Sequence, residues 1–313
     1  MLNPTHRNRH RGGLTLTAIR FLQVALIAPG AMIIKTAPAL ALDKSIASEG
    51  KNARVTNFAS GQEALRIGEE DLRAGKMEAS VDALTYAAES GRVIARWKLG
   101  QMYAKGEGVP RDDVKAYHFF NELVEGYDED QPDLQNTSAI SDAFVAVGVY
   151  CLNGVPDSDV QADPHRAHEL FQYAATAFAD PNAQYNLAHM YMSGAGGLAK
   201  DKVAAVRWLA IAAKAGHPPS QALLGHMLFV GNGVADQRAR GLMWLELAKD
   251  GAPNPKGQWI RDLYQHDFRD ASDTERLVAA SMLDTRAKGM SSLPARTNMT
   301  SFLQPFGVAP ADQ

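Results

Sequence analysis

A single cysteine, Cys151, stands in 313 residues. No disulfide can close within the chain, so a covalently stapled scaffold is excluded. Excess positive charge is missing too. The 32 lysines and arginines face 35 aspartates and glutamates, for a net charge of −3. With no basic stripe along the chain, nucleic acid is not an expected partner. The sequence holds no zinc-protease helix motif, no nucleophile elbow, no phosphate loop and no dinucleotide fingerprint. Gly194-Ala195-Gly196-Gly197 is rich in glycine, but no Gly-Lys-Ser/Thr follows it. No enzymatic activity, cofactor or metal is therefore expected.

Long hydrophobic runs are also scarce. Phe21 to Ile34 is apolar, but it falls short of the ~20 residues a spanning helix needs. A cationic start precedes it, with Arg7, Arg9, Arg11 and Arg20, and Ala39-Leu40-Ala41 follows. That order reads as a secretory signal peptide over 1–41. It predicts a mature chain that starts near Leu42, works in a periplasm and has no stable membrane insertion after cleavage. Residues 42–60 read as a flexible lead. Residues 289–313, with Pro294, Pro305 and Pro310 and no periodicity, read as a disordered tail.

Between these ends a glycine recurs. Gly106, Gly154, Gly194 and Gly231 each follow an apolar segment, and Gly100, Gly148, Ala188 and Gly225 sit six residues upstream of them. Two columns in register define an array of one supersecondary unit, and such arrays are usually binding surfaces. The cleanest copy runs from Asp201 to Gly233. Asp201 is a plausible N-cap. Val203, Val206, Trp208, Leu209, Ile211 and Ala212 form an apolar helix face. Gly216 suits the left-handed stop, and Pro218 and Pro219 suit the start of a second helix. Gly225 has no Cβ, so another helix can approach closely. The fold class predicted is all-α: a helix-turn-helix solenoid over 61–288. Gln62–Gly75 forms a leading cap, and Trp259–Phe268 and Asp273–Lys288 form terminal helices.

Few residues invite a chemical reading. His189 and His226 occupy one column of successive repeats, and His165 and His168 are three apart on one helix. The plain reading is structural. The sharper one is proton sensing, because imidazole changes charge near pH 6.5. Cys151 shares an inward apolar column with Tyr103 and Tyr191, which predicts a buried, inert thiol. The second repeat is long and acidic: Glu125, Asp128, Glu129 and Asp130 have no basic residue among them. This stretch reads either as a solvated insertion or as a lip that docks a basic partner surface.

The segments WLAIAAKAGHPPSQALLGHMLFVGNGV and RWKLGQMYAKGEGVPRD resemble Sel1-like repeats, relatives of the tetratricopeptide repeat. The likeness covers roughly Val81 to Gly251. GQEALRIGEEDLRAGKMEASVDALTYAAESG, and RGLMWLELAKDGAP followed by WIRDLYQHDF, add a likeness to the ExoR family of periplasmic exopolysaccharide regulators of rhizobia. That resemblance implies a negative regulator that holds the periplasmic domain of a two-component sensor histidine kinase inactive. It also implies a periplasmic protease that removes the regulator, with exopolysaccharide synthesis and motility under its control. The alternative is a scaffold for an envelope polysaccharide or secretion complex. A Sel1-repeat hydrolase is a third reading, but those with β-lactam-related activity are rich in paired cysteines.

Overall fold

The computed structural model describes residues 58–252, 255 and 257–290, with the side chains of 289 and 290 left aside. The predicted signal peptide, nearly all of the lead, and residues 291–313 of the predicted tail lie outside the described residues. Within them the secondary structure is helical: α1 (Gly61–Arg73), α2 (Met77–Glu89), α3 (Val93–Lys105), α4 (Asp113–Glu125), α5 (Thr137–Asn153), α6 (Pro164–Ala177), α7 (Pro181–Ser193), α8 (Lys202–Lys214), α9 (Pro218–Val230), α10 (Arg238–Gly251), α11 (Gln258–Asp270) and α12 (Asp273–Met290). No described helix is long and apolar enough to cross a membrane.

Local chemistry sets the helix ends. Asp112, Asp163, Asp180 and Asp201 each accept backbone N–H groups of the first turn they precede, which satisfies donors the helix itself leaves open. Prolines 164, 181 and 218 occupy first turns, where a missing N–H costs nothing. The glycine column closes α3, α5, α7 and α9. Gly106, Gly194 and Gly231 are left-handed, at φ 72°, 76° and 69°. Gly154 has φ 68° but ψ 175°, so the chain leaves α5 extended rather than curling back at once.

The second glycine column explains the packing. A Cβ on Gly100 would lie 2.7 Å from Phe120 Cε1, one on Gly148 2.5 Å from Phe171 Cε1, and one on Gly225 2.7 Å from the Gly241 carbonyl oxygen. Each glycine therefore lets the next helix in the chain press against its own. The pairs α1–α2, α3–α4, α5–α6, α7–α8 and α9–α10 are the close ones, and α9 packs more extensively on α10 than on α8. The predicted unit, Asp201 to Gly233, joins α8 to α9 and so straddles two close pairs. The turn glycines marked where helices end; close packing occurs on the other side of those turns.

The core follows the pairs. Leu84 and Leu99 are fully buried toward the N-terminal end, Phe171 and Leu187 in the middle, and Leu209, Leu224, Leu228 and Trp244 toward the C-terminal end. Removing such side chains from water contributes roughly 25 cal/mol per Å² of apolar area. One member of the predicted α8 face departs from expectation: Val203, in the first turn, is 37% exposed. Trp208 and Ile211 are half-buried. The α8 stripe is narrower than its apolar residues suggest, because α8 is covered on two sides by α7 and α9 and left open on the third.

Candidate functional site

The long connection between α4 and α5, residues 126–136, is anchored rather than merely inserted. Tyr127 enters an aromatic cluster with Phe144 of α5 and Tyr173 of α6, and with Phe178 just beyond α6. Its ring centroid lies 5.8, 6.0 and 5.6 Å from theirs. Phe144 stacks on Tyr173 at 5.0 Å. Ring pairs at these separations add to the stabilisation from burial alone. Glu129 sits against Tyr173, whose phenol is raised first by burial, then by Tyr127 and Glu129.

Above this base, Glu125, Asp128, Glu129 and Asp130 are exposed. Glu125 Oε1 accepts a hydrogen bond from Asn121 Nδ2 at 2.7 Å. Asp128 Oδ1 accepts one from the Asp130 N–H at 2.9 Å. Leu134, 81% exposed, lies farther along the same connection. The four predicted acids thus share one edge, with an apolar side chain beside them.

The four histidines are not brought together. His165 and His168 lie on α6, His189 on α7 and His226 on α9. His165 is exposed, with Nδ1 3.5 Å from Glu169. His168 packs edge-on against Tyr191, and its Nε2 is buried without a hydrogen bond. Burial, then the neighbouring His165, lowers its pKa. His189 packs on Tyr185 with ring centroids 4.5 Å apart. Burial pulls its pKa down to about 4. The expectation of a charge change near pH 6.5 therefore fails at His189: an imidazole with no carboxylate partner loses its proton when taken from water. Among the described residues no group of three or more His, Cys, Asp or Glu side chains could hold a metal ion.

Three features had no counterpart in the sequence reading. His226 Nδ1 lies 2.8 Å from Asp267 Oδ2. Asp267 on α11 is fully buried, and its other oxygen meets His266 Nδ1 at 2.9 Å. This ties α11 to α9. The only sequence signal was an adjacent His-Asp pair inside an amphipathic helix.

The second feature is a pair of carboxylates. Asp180 is almost fully buried; it caps α7 and accepts from Ser141 Oγ at 2.8 Å. Asp142 stands beside it. Burial, then the charge of Asp180, raises Asp142 to about 6, against a smaller opposing pull from the Trp97 indole N–H. That N–H is buried and makes no full hydrogen bond. The third feature is His217, lowered to about 4 by burial against the opposing charge of Asp180. Cys151 is 3% exposed, and burial pushes its thiol up.

Among the described residues the arrangement offers helix surfaces and the seams between them. Comparison with known proteins says what class it belongs to. The Sel1 repeat family model matches residues 93–125, 142–177, 181–217 and 218–252, and these segments coincide with the close pairs from α3–α4 to α9–α10. The class is the Sel1-repeat solenoid.

Two curated relatives carry the likeness further. An "Exopolysaccharide production negative regulator" of Rhizobium leguminosarum bv. viciae is 33% identical over 224 residues, covering 72% of this chain and 81% of that protein. A protein of the same description from Rhizobium meliloti (strain 1021) is 31% identical over 267 residues, covering 84% and 94%. The chain belongs to this family of Sel1-repeat exopolysaccharide production negative regulators. Among solved structures, a Sel1 repeat protein from Oxalobacter formigenes matches with a TM-score of 0.46 and 25% identity. The match covers 64% of this chain and 54% of that one.

Proposed function

We propose that this chain is a periplasmic negative regulator of exopolysaccharide production that binds the sensor domain of a two-component histidine kinase and holds it off. The observation that carries the reading is its likeness to two regulators over most of their length. The fold supports it: a stack of helix pairs presents a continuous surface suited to another protein. The acidic edge at Glu125, Asp128, Glu129 and Asp130 is the proposed docking surface for a basic patch on the sensor. It is held on the Tyr127 cluster, so little ordering entropy is lost on binding. Restraint requires that the chain bind the kinase's off state more tightly than its on state. Release follows when a periplasmic protease removes the chain, and exopolysaccharide synthesis and motility then change together. Activity resides in binding, with no catalytic step of its own.

The test is reconstitution. Mature protein added to the membrane-embedded kinase is expected to lower autophosphorylation and to bind the isolated sensor domain. The triple variant Asp128→Lys, Glu129→Lys, Asp130→Lys is expected to bind more weakly, with a loss that shrinks as salt rises. An absence of any effect on the kinase overturns the regulatory mechanism. Unchanged affinity of the triple variant overturns the docking surface alone. Capture of polysaccharide or secretion machinery instead of a kinase moves the chain to the scaffold reading.

A further inference from the structure

The turn between α5 and α6 spans 154–163, whereas α3–α4 turns over 106–112 and α9–α10 over 231–237. Its extra length is built into a defined shape. Asp157 adopts φ 58°, in the left-handed region a non-glycine residue seldom enters. The Val155 N–H donates to the Val160 carbonyl at 2.9 Å, and Ser158 Oγ donates to the Val155 carbonyl at 2.8 Å. The turn walls a cavity of about 480 Å³ against α4 and the first turn of α6. That volume lies within the range of small-ligand sites.

The lining is polar and mixed in charge. Arg166 stands on one side. Its Nη2 donates to Asn121 Oδ1 at 2.7 Å and its Nη1 to the Tyr117 hydroxyl at 3.3 Å. Both partners are neutral, and among the described residues no carboxylate lies within ion-pair distance of this guanidinium. A guanidinium has five N–H donors in a fixed fork, so donors remain after these two bonds. Asp159 and Asp163 line the same cavity, with the Gln161 amide between them. Asp163 Oδ1 accepts the Arg166 backbone N–H at 3.0 Å, which leaves Oδ2. The Asp159 carboxylate accepts no hydrogen bond among the described residues; its main-chain carbonyl accepts the Gln161 N–H at 3.0 Å. The Cys151 thiol lies at this cavity too and is held protonated by burial.

A bare phosphate or sulfate would meet Arg166 but face two carboxylates. A neutral sugar would satisfy the aspartates and leave the guanidinium unmatched. A single carboxylate on a ring that carries several hydroxyls answers both. We propose that this cavity binds a uronic-acid residue, its carboxylate on Arg166 and its hydroxyls donating to Asp159 and Asp163, with Gln161 able to serve either side. The binding site stands on its own geometry. Its meaning as a sensor of acidic polysaccharide rests on the regulatory reading above, and ligand binding is measured without the kinase, so the two can fail separately.

The experiment is calorimetry and ligand-observed NMR on the full-length protein, with galacturonate, digalacturonate, glucose, glutamate and inorganic phosphate as probes. The uronates are expected to bind, and glucose and phosphate to bind about tenfold more weakly or not at all, because a charge-assisted fork is roughly twice as strong as a neutral hydrogen bond. Arg166→Gln is expected to lose at least about tenfold in uronate affinity. Arg166 also braces α6 against α4, so a second variant is needed. Ala162→Trp fills the cavity from its exposed rim and leaves the bonds of Arg166 in place. It is expected to abolish uronate binding with an unchanged melting profile. Failure of both uronates to bind overturns the proposal, as does uronate binding that survives Ala162→Trp. Tighter binding of glutamate than of galacturonate reassigns the cavity to amino acids and overturns it too.

Discussion

The α9–α10 pair and the α5–α6 pair carry the same glycine and meet it with different atoms. At Gly225 the neighbour is main chain. A Cβ there would lie 2.7 Å from the Gly241 carbonyl oxygen, and one on Gly241 would lie 2.6 Å from that of Gly225. At Gly148 the neighbour is the edge of the Phe171 ring. Backbone cannot retreat without moving a helix, whereas a ring can tilt. The C-terminal pair is therefore locked by contact between two main chains, and α11 is tied to it through Asp267. The middle pair is seamed by a movable ring, and it carries the long acidic connection, the aromatic cluster and the Arg166 cavity. One repeat is packed for rigidity, and the other is equipped with surface.

Breaking that contrast starts with its firmest tie. Asp267→Ala removes a fully buried acceptor shared by His226 and His266. It is expected to cost about 3 kcal/mol in urea denaturation, with α11 the first element to lose amide protection in hydrogen exchange.

Between the two regions lies His189, where pH gives a comparable effect. Unfolded, the imidazole takes its proton near 6.5; folded, only near 4. As pH falls from 6.5 to 4 the unfolded chain gains a proton that the folded chain refuses. Stability drops across that window and levels off below it. His189→Phe is expected to remove up to about 3 kcal/mol of that decline at pH 4, read as a flatter curve of stability against pH.

The glycines come next. Gly225→Ala is expected to destabilise by about 2 kcal/mol, since overpacking outweighs the better helix propensity of alanine. Gly148→Ala is expected to cost about 1 kcal/mol, because Phe171 can shift. Equal losses, measured side by side in thermal melts, would erase the distinction between main-chain and ring contact.

A smaller effect of opposite sign is expected in the middle pair. Asp142 is raised to about 6, so above that pH the folded state holds a charge that burial disfavours. Stability contributed there is regained as pH falls from 6 toward 3.8. Asp142→Asn is expected to stabilise the chain at pH 7.5 by about 1 kcal/mol, discounted for partial exposure, and the gain is expected to fade toward pH 4. The smallest change belongs to the acidic edge. Reversing the charges of Asp128, Glu129 and Asp130 is expected to alter stability by less than about 0.5 kcal/mol, as surface substitutions do. A large loss there would mean that the edge is structural.

Much of this was legible in the sequence, and the reason is local. Asp201 as a cap, Pro218 at a first turn, Gly216 and Gly231 as stops, and Gly225 as a contact are each dictated by the geometry of a few neighbouring residues. The partner of His226 was not legible. Asp267 lies far along the chain, and nothing in either segment specifies the other. The pairing of α9 with α10 rather than α8 was hidden for a related reason. Turn glycines report where a helix ends, and only the atom that meets Gly225 reports which helix lies against it. The juxtaposition of Asp142 and Asp180, and the Arg166 cavity, likewise arise from helices that the stack brings side by side. The acidic residues were visible from composition alone, but the tyrosine that anchors them was one aromatic among many until its ring partners were seen.

Cys151 gives the protein a clock. As the only thiol in the chain, 3% exposed in the wall of the Arg166 cavity, it reacts with a disulfide reagent at a rate set by access to that cavity. The rate of that reaction reports on this one cavity, against the background of an otherwise silent molecule. Measured with and without a partner or a sugar acid, it would report which of them covers the cavity.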